Sequence, residues 1–335
     1  MKILAAAAAL AAIAVAGQAN AADITLKYAH PTSTNSTGGR MAEAFKDKLE
    51  ELSGGTMSVQ IFPDGQLGKL SEMNELVASG TIQMSHNTWG SLSVFVPEAG
   101  ALDSPYIFEN PTERQTILTH PDSKIVDVLN EELKNRDTGL YIVAPNGASG
   151  RHVTCNRAIY SPEDLEGVKF RAIPFPVFIA TVKGMGAIPV PIEYSELTTA
   201  LATGLADCQE NPLTNIYNDK LYENQSHIMM TNHIISGGPA LVNRDFFEGL
   251  TEKQQGWIVE AATTAANAEV ERGAEVEAEL RGKLEDIGKI FITADDGLKV
   301  DEFATQVSAE MRNEFGDQYD RILNMVSEER ASLLN

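Results

Sequence analysis

Basic residues are scarce in this chain of 335: lysine and arginine number 26 against 47 aspartates and glutamates, a formal net charge of −21. A surface that acidic repels nucleic acid and anionic membranes, which argues against both as partners. It does not argue against an anionic small ligand, because a few arginines in a cleft set their own local potential. Cysteine is scarcer still, with Cys155 and Cys208 alone. No C-x-x-C, C-x-x-C-H or His-x-x-x-His spacing occurs, so haem, zinc and dithiol redox roles have no ligands, and neither a cofactor nor a metal is expected. In an exported setting the two thiols could pair; two buried thiols are the alternative, and both readings stay open. Catalytic signatures are missing as well. There is no G-x-S-x-G elbow and no P-loop, and Glu72, Glu196 and Glu210 are too scattered for spacing to pair two of them, so no catalytic residue is assigned.

Long apolar runs are confined to the first residues. Lys2, the apolar stretch Ile3 to Ala16 and the small-x-small tripeptide Ala19-Asn20-Ala21 read as a secretory signal peptide over residues 1–21. The run is shorter than the ~20 residues of a membrane span, and no later segment is long enough. The mature chain is expected to be exported and free in solution.

The first 120 residues after the signal alternate β-rich runs with amphipathic helices. Ile24 to His30 reads as a strand, and Met41, Ala44, Phe45, Leu49 and Leu52 keep one helical face, stopped by Gly54-Gly55. Strand 57–62, a turn at Pro63-Asp64-Gly65, helix 70–79 and strand 82–87 complete a βαβαβ unit. Such units bind ligands beyond the carboxyl ends of their strands, here His30, Gln66 and the run His86-Asn87-Thr88-Trp89. A second αβ lobe begins near Gly147-Ala148-Ser149-Gly150, with strands 151–156, 168–173 and 188–192, helices 176–185 and 194–203, and a strand 227–235. Gly237-Gly238 marks another crossing. Residues 22–148 and 237–276 are therefore assigned to lobe I, and 149–236 and 277–335 to lobe II. From Thr251, with Gln254 as its capping-box partner, a helical pattern runs to about Leu284 without proline. One rod of about 50 Å and two helices broken near Gly256, Gly273 or Gly282 are both open.

Arg151 and Arg171, with Glu210-Asn211-Pro212 downstream, read as a carboxylate clamp, since a planar guanidinium matches a carboxylate in a two-point fashion. Alternation in VKFRAI puts Arg171 at the carboxyl end of a strand, ahead of Pro174 and Pro176. Asn211 is held extended before proline and offers an amide donor. Tyr194, Phe175 and Trp89 supply aromatic faces.

In this order, Pro63-Asp64-Gly65-Gln66-Leu67-Gly68, Leu102 to Phe108 (LDSPYIF), Ser161 to Arg171 (SPEDLEGVKFR), Leu201 to Pro212 (LATGLADCQENP) and Thr231-Asn232-His233 resemble the solute receptors of tripartite ATP-independent periplasmic (TRAP) transporters, the DctP-like family. The resemblance implies an α/β fold of the periplasmic binding protein type: two αβ lobes around a ligand cleft, hinge strands, and a long helix spanning both. It implies a periplasmic monomer that holds a small organic acid and delivers it to TRAP membrane permease subunits. By position, Arg171 matches the principal carboxylate ligand, Arg151 a second arginine, Asn211 the amide that completes the site, and Tyr194 a residue packed on the ligand body. Thr198, Cys208 and Ser104 depart from the family pattern, where an aromatic, a glycine and an apolar residue are usual. The polar set His30, Glu72, Asn87, Trp89 and Asn215 suits hydroxyls, so a uronate or aldonate leads, with an aromatic, short aliphatic or C4-dicarboxylic acid second. An exported enzyme acting on an acid and a sensory receptor are the readings from other classes.

Overall fold

A computed structural model describes residues 23–147 and 149–334; the signal-peptide segment lies outside them. Through the first lobe run β1 (Ile24–Ala29), α1 (Thr37–Leu52), β2 (Met57–Phe62), α2 (Met73–Ala78), β3 (Met84–His86), α3 (Trp89–Leu92), α4 (Pro111–Thr119), α5 (Ile125–Asn135) and β4 (Leu140–Pro145). The chain then crosses through β5 (Ser149–Gly150) into β6 (His152–Cys155), β7 (Lys169–Ala172), α6 (Pro176–Gly184), β8 (Ile188–Pro191), α7 (Leu197–Thr203), β9 (Cys208–Asn211), α8 (Leu213–Asn218) and β10 (His227–Met229). It returns through β11 (Ile235–Ser236) to β12 (Pro239–Asn243), α9 (Arg244–Glu248), α10 (Glu252–Asp286), β13 (Ile290–Ile292), α11 (Val300–Phe315) and α12 (Asp320–Leu333).

Two sheets result. The first has strand order β2-β1-β3-β12-β4, parallel through β2, β1 and β3, with the returning β12 antiparallel to both its neighbours. The second has order β13-β10-β6-β9-β7-β8. Where the chain crosses, β5 pairs with β11 in a two-stranded ribbon, and Asn146 N–H donates to Gly238 O at 2.7 Å. Arg114, fully buried, donates from Nη1 to Asn146 O at 3.2 Å and packs so closely behind Gly237 that any side chain there would overlap its guanidinium.

The strand expected over 227–235 is interrupted. Thr231 N–H turns back to Met229 O, and Asn232 takes a left-handed φ of 43°, so β10 stays in the second sheet while β11 joins the ribbon. The region 251–284 forms a single helix, α10, with the Thr251–Gln254 capping box in place. Gly256, Gly273 and Gly282 do not break it, and a Cβ at any of them would meet nothing within 4 Å, so close packing does not require glycine there. Ile258, Ala261, Ala262, Ala265 and Ala266 pack with Met41, Phe45 and Val143 of the first lobe. Leu280 and Leu284 pack with Leu213, Ile216 and Ile228 of the second. Small residues at the first contact let α1 approach closely, and the rod touches both lobes. The last helix, grouped above with lobe II, lies against lobe I: Arg330 pairs with Glu113 of α4, Arg321 Nη1 meets Glu132 of α5 at 3.1 Å, and Glu329 accepts from Ser123.

Candidate ligand-binding site

A cleft of about 110 Å³ opens where the carboxyl ends of β1 and β3 face those of β7 and β9. Thr32, Thr37, Gly38, His86 and Asn87 line it from the first lobe, Asn146, Ser236 and Gly237 from the crossings, and Arg151, Ile173, Tyr194, Asn211 and Asn215 from the second.

Arg171 is the third residue of β7, and strand alternation turns it inward beside the cleft-lining Ile173 and Tyr194. It is fully buried. Its Nε donates to Ile192 O at 3.0 Å, yet Nη1 and Nη2 have no partner among the described residues. Burial draws its pKa down to about 10, with Glu210 pulling the other way, so it remains charged at neutral pH. The Tyr194 ring lies 6.0 Å from the guanidinium. A buried charge with two unused donors is costly unless something fills the fork.

Arg151 is differently placed. Its Nε and Nη2 both donate to the Glu210 carboxylate, Nη2 at 2.8 Å from Oε1, and Nη2 also reaches Asn211 Oδ1 at 3.2 Å. Only Nη1 turns elsewhere, to the Ser236 hydroxyl at 3.3 Å. The register of β6 with β9, which sets Val153 opposite Glu210, brings the pair together. Burial alone would raise Glu210; the Arg151 charge and the hydrogen bond from His233 override it and hold the carboxyl at about 2. His233 Nε2 lies 3.3 Å from Glu210, and its Nδ1 is 2.8 Å from the Thr231 hydroxyl. Arg151 is paired with Glu210, whereas Arg171 makes no ion pair among the described residues and feels Glu210 and Glu193 only from a distance.

Asn211 donates from its amide to Gln209 and accepts from Arg151. The Tyr194 hydroxyl donates to Asp219 and accepts from Asn215 Nδ2 at 2.7 Å, so the ring is pinned with its face available. Burial raises Asp219. Asn87 borders the cleft, but its amide donates to Leu70 O at 2.8 Å and its oxygen accepts from Thr88 N–H.

Three residues expected at the ligand stand elsewhere. Trp89 is fully buried in an apolar core that joins Leu92, Val96 and Leu102 to Val177 and Phe178 of the second lobe. Glu72 is exposed and accepts from the backbone N–H of Lys69 at 3.0 Å. His30 is wholly buried and stacks on His86, ring centres 5.1 Å apart; His86 is the one that reaches the cleft. The two end neighbouring parallel strands, and nothing in the sequence distinguishes which of them faces the opening. Glu210 as counterion and His233 as its donor were likewise not assigned, although both stand in the segments that carry the family resemblance. Cys155 and Cys208, directly opposite in β6 and β9, form a disulfide. Among the described residues no cluster of three or more His, Cys, Asp or Glu could hold a metal ion, and no helix is long and apolar enough to cross a membrane.

Two αβ lobes joined by crossing strands, with a cleft between them and a buried guanidinium beside it, define a solute-binding protein of the two-lobe type. The model of the bacterial extracellular solute-binding protein family 7 (DctP) matches residues 28–324, and the chain belongs to that family of TRAP solute receptors. A solute-binding protein of Roseobacter denitrificans is 33% identical over 334 residues, covering 98% of this chain and 95% of its own. Its crystal structure, with bound L-galactonate, superposes with a TM-score of 0.82 over 91% of this chain and 99% of that one, at 27% identity. The 2,3-diketo-L-gulonate-binding periplasmic protein of Escherichia coli is 30% identical over 285 residues, 85% of each chain. A TRAP periplasmic solute-binding protein from Bordetella bronchispeptica, crystallised with density assigned as pantoate, is 29% identical with a TM-score of 0.82 over 92% and 98%. Like these relatives, the protein is periplasmic.

Proposed function

We propose that this protein captures a hydroxylated organic acid, with a sugar acid of the aldonate or uronate type as the leading ligand, and delivers it unchanged to TRAP permease subunits. The carrying observation is Arg171, a buried guanidinium whose two terminal amines await a planar two-oxygen partner. A guanidinium that makes no ion pair within the protein suits a carboxylate. The far wall, with Thr32, Thr37 and His86, offers hydroxyl-sized polar partners, and L-galactonate in one relative and 2,3-diketo-L-gulonate in another support the sugar-acid reading. Closure follows from differential binding, because an acid held on the second lobe reaches these first-lobe groups only when the cleft is shut.

Thermal shift against a panel of aldonates, uronates, C4-dicarboxylates, aromatic acids and uncharged sugars tests the reading. A ligand at 100 times its Kd stabilises by about 2.7 kcal/mol. Sugar acids should shift the protein and be recovered unchanged; a shift by neutral sugars alone, or conversion of the acid, defeats the proposal.

A further inference from the structure

His86 ends β3 on the lobe opposite Arg171 and borders the cleft. Its Nδ1 lies 2.9 Å from the hydroxyl of Tyr28. Tyr28 is 1% exposed, burial pushes its ionisation upward, and its hydroxyl meets no other partner among the described residues. A buried phenol that keeps its proton donates it to the acceptor at hand, here Nδ1. Neutral imidazole then carries its own proton on Nε2. Burial, with His30 stacked 16° from parallel, keeps the ring uncharged. Nε2 faces the first turn of α1, where a Cβ on Gly38 would overlap it. Glycine at that position leaves room for the ring edge beside the cleft.

We propose that His86 is a specificity-determining residue whose Nε2–H donates to a hydroxyl or carbonyl oxygen on the body of the bound acid. Tyr28 is its positioning residue, fixing the tautomer. This assignment rests on the carboxylate reading above and deepens it: Arg171 takes the charged end from one lobe, and a neutral donor reads an oxygen from the other. An acid without such an oxygen leaves a largely buried donor unpaired, which is where recognition discriminates most.

Two measurements test it. Calorimetry on wild type, His86→Phe, His86→Gln and Arg171→Ala uses L-galactonate and hexanoate, six-carbon acids that differ in their hydroxyls. His86→Phe should weaken L-galactonate by roughly 5- to 100-fold and leave hexanoate within threefold of wild type; His86→Gln, which keeps a donor, should recover most of the loss. Arg171→Ala should weaken both acids. Unchanged L-galactonate affinity in His86→Phe overturns the assignment. A wild-type protein that binds no acid at all overturns the carboxylate reading instead, and this one with it. Independently of any ligand, nitrogen-15 spectra of the His86 ring at neutral pH should show the Nε2–H tautomer, with Tyr28→Phe shifting it toward a mixture. An Nδ1–H tautomer in the wild type would falsify the donor role.

Discussion

At the scale of single residues the site is organised by unequal treatment of two arginines. Arg151 is satisfied by Glu210, whereas Arg171 is a desolvated charge whose terminal amines have no partner among the described residues and which the proposed acid would complete. Affinity and stability should therefore part company. Arg171→Ala should weaken the best acid by about 2–5 kcal/mol, or roughly 30- to several-thousand-fold. Arg171→Met, which fills similar volume without charge, should also lose binding while raising the unliganded protein's stability by about 1–3 kcal/mol, the cost of an unsatisfied buried donor group. Calorimetry reads the first and denaturant unfolding without ligand the second; a Met variant less stable than wild type would mean the fork is satisfied by something within the protein. Glu210 gives a pH signature. Its folded pKa of about 2 lies below the ordinary 4.5, so its contribution is fully present above pH 4.5 and is lost as pH falls toward 2. The stability gap between wild type and Glu210→Gln, widest near neutrality where the variant leaves Arg151 unpaired, should narrow steadily below pH 4.5. A gap that stays constant from pH 6 to 3 would show that the carboxylate is not held low by its partners.

At the scale of elements, the site depends on one register. His152 faces Asn211, Val153 faces Glu210 and Cys155 faces Cys208, so the disulfide closes the far end of the pairing that presents Arg151 and Asn211. A slip of one residue would turn every side chain of β9 to the opposite face. Replacing both cysteines with serine should cost about 2–4 kcal/mol of stability and lower acid affinity at temperatures where the variant remains folded. A double variant that unfolds at the wild-type midpoint would show that the ladder alone holds the pairing. The sequence made much of this legible. The alternation of VKFRAI sets Arg171 with Ile173 on one face at a strand's carboxyl end, Pro212 holds Asn211 extended, and the Thr251–Gln254 box starts the long helix. What escaped was decided by contacts between distant segments: which of His30 and His86 faces the cleft, whether Trp89 turns to ligand or core, and which carboxylate claims Arg151. None of these is encoded in local periodicity.

At the scale of the whole molecule, closure is held by few ties of the protein's own. Across the cleft Thr37 and Thr214 share a hydrogen bond at 3.2 Å, Asn218 Nδ2 donates to Asn35 O at 2.8 Å, and Lys69 meets Glu196 at 2.9 Å. Lys69 and Glu196 are each about half exposed, so solvent screening leaves that pair little hold on the closed form. The two hydrogen bonds add about 0.5–1.5 kcal/mol each. With so few polar ties of its own across the cleft, the unliganded protein should open readily and the acid's contacts with both lobes should decide the equilibrium. Small-angle scattering should then show the radius of gyration falling when saturating L-galactonate is added. Arg171→Ala at the same acid concentration should keep the larger radius, because it removes the contact that distinguishes the occupied state. Raising ionic strength should enlarge the unliganded protein only slightly, since just one of the three ties is an ion pair. A wild-type radius that is already small and does not respond to acid would place the free energy of closure in α10 and the crossing strands, and the ligand would then enter a cleft shut by the fold itself.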